Sequence, residues 1–229
     1  VTLDSIVSNK YFSLYPTLHM SYKMNEAAEI QLNYSRRTNR PDGDDLNPFP
    51  EYRDARNLSA GNPYLLPEYI HSVEFGCQFQ TDHFSILPAV YYRYIYNKFT
   101  SVTEAINDSV LLTTRKNLSN DQATGLELIL TGNVKDKFQA HLSANGFYNQ
   151  IDASNLGYDR NKSIFTWSSA LTFTANITQS TIVQINSNYN SARLSPQGEY
   201  DPSYIVNVGA RQELAGGKLS LTFTVTDIF

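Results

Sequence analysis

Segment after segment of this chain alternates apolar and polar residues with a period of two, and few architectures accept that pattern over most of their length. Phe165, Trp167, Leu171, Phe173, Ala175 and Ile177 share one parity, while Thr166, Ser168, Thr172, Thr174 and Asn176 share the other. Strand side chains point alternately to two faces, so such a segment is a strand with one apolar and one polar side. A helix would repeat every ~3.6 residues. Leu219, Leu221, Phe223 and Val225 repeat the pattern, as do Ala28, Ile30, Leu32 and Tyr34, and Phe138, Ala140, Leu142 and Ala144.

The alternation predicts ten strands, at about 11–24, 27–37, 68–81, 83–98, 122–134, 137–151, 163–177, 180–193, 203–214 and 217–228. Most exceed the ~5–6 residues common in globular sheets. They suit tilted membrane-crossing strands of about 9–11 residues with extensions above the membrane. Short turns are expected at Met24-Asn25-Glu26, Thr81-Asp82, Lys135-Asp136, Thr178-Gln179 and Ala215-Gly216-Gly217, and longer polar links at about 38–67, 99–121, 152–162 and 194–202. Short and long connections alternate without exception, so every short turn falls at one end of an antiparallel meander. Outer-membrane β-barrels have this asymmetry, with short periplasmic turns and long extracellular loops. The expected fold is therefore all-β, an antiparallel up-and-down transmembrane β-barrel or about ten strands of one.

Three features turn the apolar face towards lipid. Charges within the strands (Glu29, Glu74, Arg93, Glu127, Arg211) fall on the polar face, where a lumen hydrates or pairs them. Tyr22, Tyr34, Tyr92, Tyr94, Tyr96, Tyr148, Tyr189 and Tyr204 gather towards strand ends, as phenol rings do at membrane interfaces. The polar face is mostly Asn, Gln, Ser and Thr, and only 17% of the chain is charged, below the ~25–35% of a typical soluble surface. Four residues fit less simply. Pro16 suits only an edge strand, Pro88 predicts a bulge or kink, and His71 and Asp227, on apolar parities, are expected near an interface.

Other classes fall away. A net charge of −4 without a Lys/Arg stripe gives no footprint for nucleic acid. No apolar run approaches the ~18 residues of a membrane-crossing helix. The single cysteine, Cys77, rules out an intrachain disulfide framework and a multi-cysteine zinc site, and it reads as a small lipid-facing residue. No basic segment followed by an apolar stretch opens the chain at Val1, so a mature chain or an excised piece is expected.

Chemistry-bearing residues are sparse. Asp42, Asp44 and Asp45 could offer oxygens to Ca²⁺, but the spacing of a calcium-binding loop is absent, and a solvated, Arg-paired loop is expected. His19 and His141 fall on polar faces, His83 in a short turn and His71 near a strand start, so no catalytic constellation with carboxylates is expected at the long-loop rim. No catalytic residue, metal ligand or cofactor is expected, and ligand-contacting residues are not identified by the sequence.

The stretches Tyr15–Asn25, Leu32–Arg37, Arg40-Pro41, Leu46-Asn47-Pro48-Phe49, Gly61-Asn62-Pro63 and Leu66-Pro67-Glu68 resemble the TonB-dependent receptor class of outer-membrane proteins, and more narrowly its outer membrane protein β-barrel branch. Val225–Phe229 is similar to a late barrel strand of the same family. The resemblance implies a barrel of about 22 strands, closed by an N-terminal plug that opens when TonB pulls on it and admits a scarce ligand such as a metal chelate or glycan. It implies that residues 1–229 are the C-terminal portion of such a barrel, with outer-membrane lipid, the plug, TonB and a small-molecule or glycan ligand as partners. Three alternatives remain: a complete ten-stranded barrel ending in Phe229, a soluble β-sandwich or barrel binding carbohydrate through Tyr and Trp167, and a ten-stranded outer-membrane hydrolase.

Overall fold

The computed structural model describes residues 13–135 and 137–228. The chain opens with β1 (Thr17–Lys23) and β2 (Ala28–Asn39), followed by a one-turn helix α1 (Gly43–Leu46) and the short strands β3 (Glu51–Tyr52) and β4 (Asn57–Ala60). Next come β5 (Glu68–Gln80), β6 (Phe84–Tyr96), a hairpin of β7 (Phe99–Asn107) and β8 (Val110–Asn117), then β9 (Asn120–Val134) and β10 (Phe138–Asp152). The remainder is β11 (Lys162–Thr178), β12 (Thr181–Asn190), a small hairpin of β13 (Arg193–Ser195) and β14 (Gly198–Tyr200), β15 (Ser203–Leu214) and β16 (Leu219–Val225).

Ten of these strands form one antiparallel sheet in the order β1-β2-β5-β6-β9-β10-β11-β12-β15-β16. The sheet is open, with β1 and β16 as its edges. All ten expected strands are present, and the short and long connections fall at opposite ends. Register aligns residues of one kind in rows across the wall. Met20, Leu32, Phe75, Val90, Leu126, Gly146 and Trp167 face one another successively, whereas Gln31, Gly76, Ala89, Glu127, Asn145, Ser168 and Asn190 form a row on the opposite face.

Burial identifies the apolar face. Phe223 is 69% exposed, Phe165 63% and Leu126 53%, although these are the residues a soluble fold would hide. A contiguous exposed band of this extent is expected of a surface solvated by lipid. The eight tyrosines picked out at strand ends all lie on this outward face by register. Tyr34, Tyr92 and Tyr148 share one row towards the long loops. Their hydroxyls meet His71 Nδ1 (3.0 Å), Gln122 Oε1 (3.2 Å) and Ser163 Oγ (2.5 Å). Trp167 packs on Tyr189 with ring centroids 4.3 Å apart. His71, between Tyr34 and Tyr96, thus sits in an aromatic girdle at the expected interfacial level.

Several expectations need correction. Pro88 causes no bulge: β6 pairs with β9 without interruption, and towards β5 the ladder only omits partners at Cys77 and Gln78 and resumes in the same register. A proline lacks the N–H that one ladder rung needs, and here the loss is absorbed locally. The sheet's one register shift lies instead at Asn176/Thr178. The last strand stops at Val225, and Asp227 lies beyond it, exposed, with φ 56° and its N–H donating to Asn207 Oδ1 at 2.9 Å. Pro16 precedes β1, an edge strand, and its carbonyl accepts from Arg36 N at 3.0 Å. The start of the first expected strand (residues 11–12), Asp136 of a short turn and Phe229 lie outside the described residues.

The long links are not loose. The segment 40–67 and the 99–117 hairpin join in a second sheet, ordered β3-β4-β8-β7, in which β4 and β8 run parallel. Val102 and Leu65 are fully buried there, and Leu118, Ile151 and Ala153 form a core with Leu156, Tyr158 and Leu194.

Candidate functional site

Beneath these loops, at the long-loop end of the polar face, lies a cavity of about 430 Å³. Its floor is the wall itself, with Arg93 from β6, Asp121 and Ala123 from β9, Phe147 and Asn149 from β10, and Thr166 from β11. Its roof comes from the two loop hairpins, through Lys98, Phe99 and Arg115 on one side and Arg193, Leu194 and Tyr200 on the other. Strand alternation puts the floor residues inside, since Arg93, Ala123 and Asn149 form one lumen row.

The lining carries four cations, Arg93, Lys98, Arg115 and Arg193, against one carboxylate, Asp121. Two cations are committed. Lys98 Nζ lies 2.7 Å from Asp121 Oδ2, whose side chain is nearly buried and also accepts from Asn149 Nδ2 at 3.1 Å. Arg115 Nε lies 3.0 Å from Asp45 Oδ1. The other two guanidiniums rest on aromatic rings, Arg93 over Tyr91 and Arg193 over Tyr200, each 5.5 Å from the centroid. Neither is ion-paired among the described residues.

Side chains that imitate backbone pairing fix the roof. The Gln197 amide accepts from Thr103 N at 2.8 Å and donates to Thr103 O at 2.7 Å, clasping the two hairpins together. Asn117 clasps Leu66 in the same reciprocal way, at 3.0 and 2.9 Å. Glu68, buried at the loop base, accepts from Phe99 N (2.5 Å) and Asn39 Nδ2 (2.9 Å). The Leu46-Asn47-Pro48-Phe49 and Gly61-Asn62-Pro63 stretches form another clasp, in which Gly61 N donates to Asn47 O at 2.7 Å and Asn62 N to Asp45 O at 2.6 Å. A Cβ at Gly61 would stand 2.4 Å from Asp44 O, so this approach needs glycine.

The loop acids serve structure. Asp42 caps α1 and accepts from Asp45 N at 2.9 Å, while Asp45 pairs with Arg115, as an Arg-paired loop requires. The histidines are not brought together. His19 bonds Asn33 on β1's polar face, His141 bonds Thr131 at 3.2 Å near a short turn, His83 occupies the 81–83 turn and His71 faces outward. Cys77, half-buried, faces Ile30 on the apolar side. Lower on the lumen face, Asn33 donates to Glu74 at 3.3 Å and Gln31 to Glu29 at 3.1 Å, and Arg211 pairs with Glu213 at 2.8 Å. Of the vestibule's charges, sequence reasoning singled out Arg93 alone. Lys98, Arg115, Asp121 and Arg193 lie in or beside links whose partners are distant in sequence, and no local charge pattern marks them, because the long links carry more acidic than basic residues.

Comparison with known proteins follows the same lines. The model of the outer membrane protein beta-barrel family matches residues 1–229. No curated protein matches the sequence. Among solved structures, the siderophore receptor PirA from Pseudomonas aeruginosa superposes with TM-score 0.64 at 17% identity, over 94% of this chain and 38% of that one. The copper transporter OprC gives 0.62 at 10% identity, over 93% and 33%. The ferripyoverdine receptor of the outer membrane of Pseudomonas aeruginosa gives 0.60 at 14%, over 94% and 29%. The chain therefore spans well under half the length of the receptors it matches, and at these identities the likeness is one of fold.

Proposed function

Because the chain belongs to the outer membrane protein β-barrel family and so to the outer membrane, we propose that residues 1–229 are the C-terminal portion of a TonB-dependent receptor barrel, supplying wall, lumen lining and extracellular loops for uptake of a small ligand. The observation that carries this reading is the two-sided wall. One face is a continuous exposed apolar band, and the other leads to a walled vestibule under the long loops. The edges β1 and β16 add support. Unpaired backbone groups in hydrocarbon cost several kcal/mol each, so a membrane sheet requires further strands to close it. The matched structures are receptors for siderophores and a copper transporter, which supports transport over catalysis. In the proposed receptor a plug fills the lumen, TonB supplies the pull, and the ligand is a metal chelate, a glycan or a similar scarce solute.

Epitope insertion in the intact protein tests the topology. A tag after Ser109 is labelled on whole cells, and a tag after Gly216 only once the outer membrane is permeabilised. The reverse pattern, or failure to fractionate with the outer membrane, refutes the reading. Ligand accumulation that survives deletion of TonB refutes the energy coupling.

A further inference from the structure

From the vestibule's uncommitted guanidiniums we infer that the ligand is a compact polyanion, gripped between Arg93 on the wall and Arg193 on the roof. This rests on the receptor reading above and narrows its ligand class. The chain as a whole carries a net charge of −4, yet the vestibule concentrates four cations against one carboxylate. Lys98 and Arg115 hold their positions through Asp121 and Asp45 and help to fix the roof. Arg93 and Arg193 are oriented by tyrosine rings instead, which steer a guanidinium without occupying its N–H donors. A planar fork left exposed and unpaired in the lining of this open pocket favours carboxylate, phosphate, sulfonate or catecholate oxygens. Phe99, Phe147 and Tyr200 in the same lining offer flat apolar contact, so an anion carried on a ring or chelate fits better than a hydrated inorganic ion.

The test uses the full-length protein in non-ionic detergent and the trisulfonated dye pyranine, with binding read by fluorescence anisotropy. Saturable binding is expected that weakens as salt rises from about 50 to about 500 mM. R93Q/R193Q is expected to weaken it at least about tenfold, and R93K/R193K less, since lysine keeps charge and loses the fork. K218Q, at a periplasmic turn, leaves it unchanged. R193Q alone, outside the membrane wall, provides a variant in which the barrel stays intact, with about a threefold loss expected. Heat-modifiable gel mobility verifies folding of each variant. Equal affinity in the parent and R193Q overturns the inference, as does uncharged maltotriose binding in place of pyranine. Either result leaves the receptor reading standing if the protein still fractionates with the outer membrane; loss of that fractionation overturns both.

Discussion

Gly125→Ala will destabilise the wall through one ring. Gly125 stands between Tyr91 and Phe147 in a lumen row, and the Tyr91 side chain lies over it, 8% exposed, with its hydroxyl donating to Asn145 Oδ1 at 3.0 Å. A Cβ at Gly125 would stand 2.7 Å from Tyr91 Cζ and Oη and 2.7 Å from Phe147 Cβ, closer than real Cβ contacts come. The ring can swing away, but Phe147 Cβ moves only with the β10 backbone. Swinging out exposes about 60 Å² of ring, a third of what a tyrosine buries, costing about 1.5 kcal/mol at ~25 cal/mol per Å². The lost hydrogen bond adds about 1 kcal/mol. The total, about 2.5 kcal/mol, lies within the ~1–3 kcal/mol usual for overpacking. Urea titration of the folded fraction, read as heat-modifiable mobility of the full-length protein in micelles, measures it. In a Y91A background both the ring and its hydrogen bond are gone and only the Phe147 contact remains, so the two mutations couple by about 2.5 kcal/mol. Additivity within about 0.5 kcal/mol refutes the argument that the ring is what the methyl displaces.

Three further outcomes are expected. Leu128→Arg, midway down the lipid face, costs about 2–4 kcal/mol by the same titration, whereas Ser143→Arg on the lumen face costs under about 1 kcal/mol; equal costs contradict the assignment of faces. Gly61→Ala breaks the clasp with Asp44, Asp45 and Asn47, so limited proteolysis on whole cells cuts within residues 47–66 faster than in the parent, and unchanged cleavage counts against the clasp. Asp54, in an exposed loop turn, is held below the ordinary aspartate range by the N–H of Arg56 and the Asn57 side chain. A lowered folded-state pKa means that its contribution is complete above the unfolded value and lost as pH falls through the lowered one. The amide shifts of Arg56 and Asn57 should therefore titrate below the usual aspartate midpoint and stay flat in D54N.

The wall could be read from sequence because the membrane makes period two obligatory: lipid on one side and lumen on the other penalise every residue of the wrong kind. The loop strands escaped because neither of their faces meets lipid. In Phe99–Asn107 the residues Thr100, Ser101, Thr103 and Glu104 surround Val102, which alone is fully buried, so the alternation looks like a polar link. The roof was equally hidden. Its pairings join residues far apart in the chain, Gln197 to Thr103 and Asn62 to Arg115, and a side-chain amide posing as backbone leaves no local pattern. Pro88 misled because the rule forbidding proline in a central ladder holds per rung, and one rung can be lost without a shift in register.

Tight packing in this molecule is distributed in a way that bears on the proposed capture of a ligand. The wall keeps its large apolar residues exposed to lipid, while Leu65, Val102, Leu118, Ile151 and Ala153, all 3% exposed or less, belong to the loops and the strand ends beneath them. Extracellular loops usually carry the mobility of such a barrel, yet here they hold the globular core. Capture by loops that must first order costs about 0.5–1.5 kcal/mol for each immobilised side chain. In the proposed receptor, a roof already locked by Gln197, Asn117 and Glu68 would spare most of that cost, and the two arginines placed by tyrosine rings would meet a ligand in the geometry they already have. On this argument Gln197→Ala acts mainly on affinity, by releasing Arg193's hairpin from Thr103, and leaves the urea midpoint of the wall unchanged.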